Sequence, residues 1–200
     1  MTIKFLLPLF TATLLSSGSL LVDARQPKPK VTPAKATVTQ PVQPQWKVYT
    51  GPDGRFSVLM PGIPKRDSQS QKTYMGEINL EIFIAQPPKQ EVAYVVTYND
   101  FPYSYGELAN PQAVLNNARD LALKTTKSNL ISQRDIRSPN GHPGKEIEYI
   151  NSGGKVTKSR MYFAQGRLYQ VMAITTRKQR RSLAKTINGY LNSFNVVLKA

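Results

Sequence analysis

The stretch KVTKSRMYFAQGRLYQVMAITTRKQRRSLAKTINGYLNSF, from Lys155 to Phe194, carries the clearest local signals in the chain. Val156 to Ala164 reads as a strand, Gln165-Gly166 as turn chemistry, and Leu168 to Thr175 as a second strand, so the three form a β-hairpin. In the second strand Leu168, Met172 and Ile174 fall on one face, and Tyr169, Val171 and Ala173 on the other. A strand that is apolar on both sides needs cover on both sides. Thr176-Arg177-Lys178-Gln179 then spells a capping box, in which Thr176 and Gln179 satisfy each other's unpaired backbone donors. The helix it opens has an apolar stripe of Leu183, Ile187, Tyr190, Leu191 and Phe194.

The same signals continue outward from this stretch. Gly153-Gly154 turns the chain back to a strand at Lys145–Ile150, which Gly141-His142-Pro143-Gly144 joins to another at Leu130–Arg137. Upstream, Asn110 caps a helix with Pro111 in its first position, where the missing N–H costs nothing. Its packed positions are Val114, Ala118, Leu121, Ala122 and Thr125, and it ends near Lys127. Further back lie Trp46–Thr50, the turn Gly51-Pro52-Asp53-Gly54, and a strand at Phe56–Met60 stopped by Pro61-Gly62 and Pro64. Tyr74-Met75-Gly76-Glu77 looks like a hairpin corner. Beyond it Ile78, Leu80, Ile82 and Ile84 point one way, and Asn79, Glu81, Phe83 and Ala85 the other. Val92–Tyr98 is apolar on both faces, and Asn195–Leu198 closes the chain as a short strand. The pattern predicts an α+β domain over residues 46–200: a largely antiparallel β-sheet covered by helices on both faces, an α/β/α sandwich.

The N-terminus reads as an export signal over residues 1–24. Lys4 is the positive region, Phe5 to Leu15 the apolar one, and Val22-Asp23-Ala24 a cleavage site. The competing reading is a retained anchor, because the uncharged run from Phe5 to Val22 is 18 residues long and reaches the lower limit of a spanning helix. Pro8 and Ser16-Ser17-Gly18-Ser19 weaken that run. Residues 25–45 hold five prolines, four cations and no acid, the composition of an extended, disordered linker. The expected destination is export from the cytosol, to the periplasm or beyond it by secretion.

The chain has no cysteine, which excludes a disulfide framework, thiol catalysis and thiolate metal sites. Its formal net charge is +15, and cleavage would remove one charge of each sign and leave that value unchanged. Such a charge is an argument about partners. In the cytosol nucleic acid would come first; export replaces it with anionic headgroups, acidic envelope polymers or an acidic protein surface. The expectation is a monomer that engages such a partner, with peripheral membrane contact and no cofactor. The plain alternative is a protein that is simply basic and soluble.

Four groups of residues, Gly54-Arg55-Phe56-Ser57-Val58-Leu59-Met60-Pro61-Gly62, Gly144-Lys145-Glu146-Ile147-Glu148-Tyr149, Gly166-Arg167-Leu168-Tyr169 and Leu191-Asn192-Ser193-Phe194, together resemble small exported bacterial domains related in fold to PsbP. PsbP is the extrinsic lumenal subunit of photosystem II. The resemblance implies an antiparallel sheet sandwiched by helices over about residues 46–198, and a lumenal or periplasmic accessory or assembly role. No metal or photosystem contact can be transferred residue by residue.

Four cations, Arg177, Lys178, Arg180 and Arg181, crowd the first turns of the last helix, with Lys185 following. There they oppose the helix dipole, at ~0.3–1 kcal/mol each when exposed. Local stability would not select them; an anion-binding patch would, joined by Lys158, Arg160 and Arg167 from the hairpin. The plain alternative is a solvated basic face. Phe101, Tyr103 and Tyr105 form either an aromatic contact loop or a lid over the sheet end. His142 is the only histidine; a hydrolase would have to use it, yet it sits in a turn without a nucleophile elbow. Glu146 and Glu148 share a strand face and pair across the hairpin with Lys158 or Arg160, unless they hold a hard cation. A non-catalytic binding domain is therefore expected, with no catalytic or metal residue.

Overall fold

A computed structural model describes residues 44–73, 76–88, 90–102 and 109–198. The export signal, most of the linker, Tyr74-Met75 of the corner, and Tyr103 and Tyr105 lie outside the described residues. In chain order the elements are β1 (Trp46–Thr50), β2 (Phe56–Pro61), β3 (Lys65–Thr73), β4 (Gly76–Ala85), β5 (Val92–Asp100), α1 (Pro111–Thr125), β6 (Ser128–Arg137), β7 (Pro143–Asn151), β8 (Lys155–Ala164), β9 (Arg167–Thr176), α2 (Arg177–Arg180), α3 (Ala184–Asn192) and β10 (Asn195–Val196).

The strands form a seven-stranded sheet in the order β3-β4-β5-β9-β8-β7-β6 and a three-stranded sheet in the order β1-β2-β10. Two meanders meet at the centre of the large sheet, where β5 and β9 pair antiparallel along their full length from Val92↔Thr175 to Asp100↔Arg167. The turn between β8 and β9 has Gln165 at φ 46° and Gly166 at φ 70°, both positive as a type I′ hairpin requires. In β9 the expected division of faces holds. Tyr169, Val171 and Ala173 join one core cluster, while Leu168 and Met172 join others.

The two faces are covered differently. Over β6–β8, α1 packs Val114 and Leu115 onto Ile147, Met161 and Phe163. Its start is as the sequence implies: the Asn110 Oδ1 accepts from the N–H groups of Gln112 (2.9 Å) and Ala113 (3.3 Å), and Pro111 is the first helical residue. Leu115, fully buried, replaces Leu121 as its deepest contact. On the opposite face the cover is mostly another sheet. β1, β2 and β10 bring Phe56, Val58, Met60 and Val196 down onto Phe83, Tyr94, Val96, Tyr169 and Val171, and the nine-residue α3 adds Ile187, Tyr190 and Leu191. The α/β/α expectation is thus corrected to a mostly antiparallel, strand-rich α+β domain with few helices. The sequence signal for helix cover came from the stripe after Thr176, and that helix is broken.

Charge disfavours a continuous helix here. Arg177, Lys178, Arg180 and Arg181 place three like-charged pairs at i,i+3 and i,i+4, each costing ~0.2–0.5 kcal/mol, with no acid in the first turn to offset them. The segment makes one turn, leaves the helix over residues 181–183, and resumes at Ala184. Only half of the capping box forms. The Thr176 hydroxyl accepts from Gln179 N at 3.3 Å, but the Gln179 side chain reaches instead to Glu91 N at 3.0 Å and ties down the connection before β5.

Candidate basic site and the cleft beside it

The eight cations expected to form one patch divide into two sets. Arg167 does not belong to a surface. Its side chain is 5% exposed, its Nε and Nη2 donate to the two carboxylate oxygens of Asp100 at 2.6 and 2.7 Å, and its Nη1 donates to Asp53 at 2.5 Å. The guanidinium also lies 4.0 Å from the centre of the Tyr98 ring. Two carboxylates and an aromatic face hold that charge, so it has nothing left to offer a partner. Arg160 is also internal, 14% exposed and 2.6 Å from Glu146. Lys158 donates to the Asn188 Oδ1 at 2.8 Å and lies 3.8 Å from Glu146. Arg180 forms a two-pronged pair with Glu148 at 2.6 and 2.7 Å.

Arg177, Lys178, Arg181 and Lys185 make up the second set. All four are exposed, and none forms an ion pair or side-chain hydrogen bond among the described residues. They follow one another over the α2–α3 corner. Since α2 is a single turn, it has no dipole of consequence, and the wrong-sign argument drawn from a continuous helix does not apply. What remains is four adjacent cations with no internal reason to be there.

Glu146 and Glu148 take the cross-strand role expected of them, with a change of partner. Glu146 lies opposite Arg160 and collects Arg134 at 3.0 Å and Arg160 at 2.6 Å. Glu148 lies opposite Lys158 but binds Arg180. Burial alone would raise the Glu146 carboxyl, but the Arg160 hydrogen bond and the charges of Lys158, Arg160 and Arg134 outweigh it and hold the group below its ordinary 4.5. A carboxyl whose folded value is depressed stabilises the fold above its unfolded value, and that contribution is lost as pH falls through the folded one. Stability should therefore decline below about pH 4.5. Glu146→Gln should show a flatter acid limb in urea melts between about pH 5 and 2.5; an identical limb would mean that the cluster contributes nothing to acid sensitivity.

Beside the free cations lies a cleft of about 340 Å³, lined by Glu148, Val156, Lys158, Ala173, Thr175, Arg180, Arg181, Ala184, Ile187 and Asn188. It opens where the aromatic filling of this face stops: Tyr94, Tyr162, Tyr169 and Phe194 occupy the rest of the cluster, and Ala173 and Ala184 leave room here. Sequence reasoning did not find the cleft, because small residues in a strand and a helix look like ordinary packing.

The remaining candidates are elsewhere. Phe101 is 8% exposed with its ring 5.8 Å from that of Phe163, so it packs over the sheet end and is not a contact residue. His142 exchanges backbone hydrogen bonds with Ser138, N–H to the Ser138 Oγ at 3.0 Å and O from Ser138 N at 2.9 Å, and does not line the cleft. Among the described residues no group of three His, Asp or Glu is placed to hold a metal ion.

Fold and geometry together define a PsbP-like antiparallel α+β domain. Among solved structures it is similar to the cyanobacterial PsbP protein CyanoP from Synechocystis sp. PCC 6803, with a TM-score of 0.52 at 11% identity over 82% of this chain and 98% of that one. A protein of unknown function from Pseudomonas aeruginosa, PA94, aligns at a TM-score of 0.45 and 16% identity over 78% of this chain and 98% of that one. No protein-family profile matches the sequence, and no curated protein matches it. The likeness to CyanoP is one of fold.

Proposed function

We propose that this protein is a non-catalytic, exported accessory domain that binds an anionic partner through Arg177, Lys178, Arg181 and Lys185. The observation that carries the reading is that these four exposed cations lack internal partners among the described residues, while Arg160, Arg167 and Arg180 are all neutralised. The +15 net charge supports it, since the long-range field favours anionic surfaces. The partner class is an anionic membrane surface, envelope polymer or acidic protein, met in the periplasm or lumen. The PsbP-like fold favours a second reading within that class, an accessory or assembly role at a photosynthetic membrane complex.

The test compares the chain from Arg25 with a variant carrying Arg177→Glu, Lys178→Glu, Arg181→Glu and Lys185→Glu on vesicles containing anionic or only neutral lipid, and on an acidic polymer. The unsubstituted chain should bind the anionic targets and release as salt shortens the screening length. The variant should bind at least about tenfold more weakly at low salt. Equal binding by both would overturn the assignment of these residues. A pulldown from thylakoid extract that survives high salt would favour docking by shape on a membrane complex.

A further inference from the structure

We infer that the cleft between β7–β9 and the α2–α3 corner is a binding site for a small organic carboxylate with an apolar body. The inference rests on the anionic-partner reading of this region and narrows it to a ligand class. The floor is apolar and almost closed, with Val156, Ala173 and Ile187 at 2%, 0% and 4% exposed, and Ala184 is the exposed apolar residue at its mouth. Its one hydroxyl, on Thr175, already donates to Glu91 O at 3.2 Å. Apart from the acceptor lone pairs that Thr175 keeps, a ligand group resting on this floor finds no hydrogen-bonding partner, so its body has to be largely apolar.

The rim has the opposite character. Among the described residues Glu148 is the only carboxylate that lines the cleft, and both its oxygens are taken by Arg180 at 2.6 and 2.7 Å. Arg181 has no partner among the described residues, and Lys158 donates to the neutral Asn188 at 2.8 Å while lying 3.8 Å from Glu146, outside the cleft lining. The unspent capacity on this rim is donor and mostly positive, with the neutral Asn188 Nδ2 beside the cations, so the head group has to be an anionic acceptor. A carboxylate suits it best, because the rim already binds one: Glu148 lies in the guanidinium fork of Arg180 in the planar two-pronged arrangement that carboxylates form. A ligand carboxylate enters beside it on Arg181 and Lys158, and Arg180 can turn from Glu148 to share it. The volume of about 340 Å³ is at the small end of the ~300–1,000 Å³ range of small-molecule sites.

Octanoate is the probe, with acetate and octanamide supplying head and body alone. Titrated into the labelled protein, octanoate should saturate and move the backbone resonances of Ala173, Ala184 and Ile187, and the other two should bind at least tenfold more weakly. Ala184→Leu fills the cleft from an exposed helix position without altering a charge. It should lose octanoate binding at least tenfold and keep vesicle binding, with an unchanged melting temperature showing that it folds. Arg177→Glu/Lys178→Glu, neither of which lines the cleft, should do the reverse. Octanoate that moves none of the three resonances, or that binds Ala184→Leu as it binds the parent chain, overturns the site. Loss of vesicle binding alone leaves the site standing, and loss of octanoate binding alone leaves the surface reading standing.

Discussion

Arg167→Ala should cost roughly 3 kcal/mol of folding stability, the loss of charge-assisted hydrogen bonds from a buried guanidinium to two partly exposed carboxylates. The guanidinium joins three pieces of chain: Asp53 in the turn before β2, Asp100 at the end of β5, and its own position at the start of β9. Burial opposes the charge, but the bonds to Asp100 and Asp53 more than compensate and raise the group further above its ordinary range, so it stays charged. Without it Asp53 and Asp100 face each other with Arg55 alone nearby, at 3.5 Å from Asp100, and the Tyr98 ring loses the plane stacked on it. Arg167→Lys should recover little, since an ammonium can neither bridge two carboxylates in a plane nor stack. Urea denaturation measures the loss, and a cycle with Asp100→Asn isolates the coupling. A midpoint unmoved by Arg167→Ala would mean that the network is only tolerated. Binding to anionic vesicles should persist in whatever fraction remains folded, because Arg167 is no part of the exposed set.

Most of the strands were readable because two periodicities were clean. In β4 and β9 alternating residues divide into different core clusters, Phe83 and Ala85 against Leu80 and Ile82, Tyr169 and Val171 against Leu168 and Met172. β3 was not readable. Lys65-Arg66-Asp67-Ser68-Gln69-Ser70-Gln71-Lys72-Thr73 has no apolar face, because it is an edge strand paired only with β4. Its charges are what keep such an edge from recruiting another chain. The three-stranded sheet was also hidden. β1 and β2 look like any hairpin in sequence, and nothing local tells whether a hairpin extends a sheet or lies across it. That choice is made by Phe56, Val58 and Met60 meeting Phe83 and Tyr94 from across the core.

For the site, the basic cluster was visible and its division was not. Charge is a one-residue property, whereas pairing depends on which residues the sheet brings opposite one another. Glu148 comes to Arg180 across 32 positions, and Asp100 to Arg167 across 67. Arg167 looked like a hairpin-end cation because its two carboxylates sit far away in the chain. The free set is what the paired one leaves over, and the cleft exists where the helix break meets Ala173, neither of which is a property of a single residue.

Phe56→Ala should be comparably damaging, at about 3–5 kcal/mol. The ring is fully buried between the two sheets, with ring centres at 5.7 Å to Phe83, 6.0 Å to Tyr98, 6.3 Å to Tyr169 and 5.8 Å to Phe194. The turn before it is folded tightly onto the same ring: a Cβ on Gly51 would come within 2.3 Å of it. Its neighbours cannot collapse into the void, since Tyr98 is held under Arg167, and Tyr169 donates to Arg55 O at 3.3 Å. The loss should be local first. β10 is held by two residue pairs, Asn195↔Ser57 and Val196↔Phe56, so the small sheet should loosen before the large one. Amide exchange should then speed up in β1, β2 and β10 while β7 and β8 stay protected, and vesicle binding should weaken as the α3–β10 end frays. Phe56→Leu should lose clearly less, because it keeps most of the volume. If exchange instead rose equally in both sheets, the two would unfold as one cooperative unit, and the small sheet could not be treated as a separable cover.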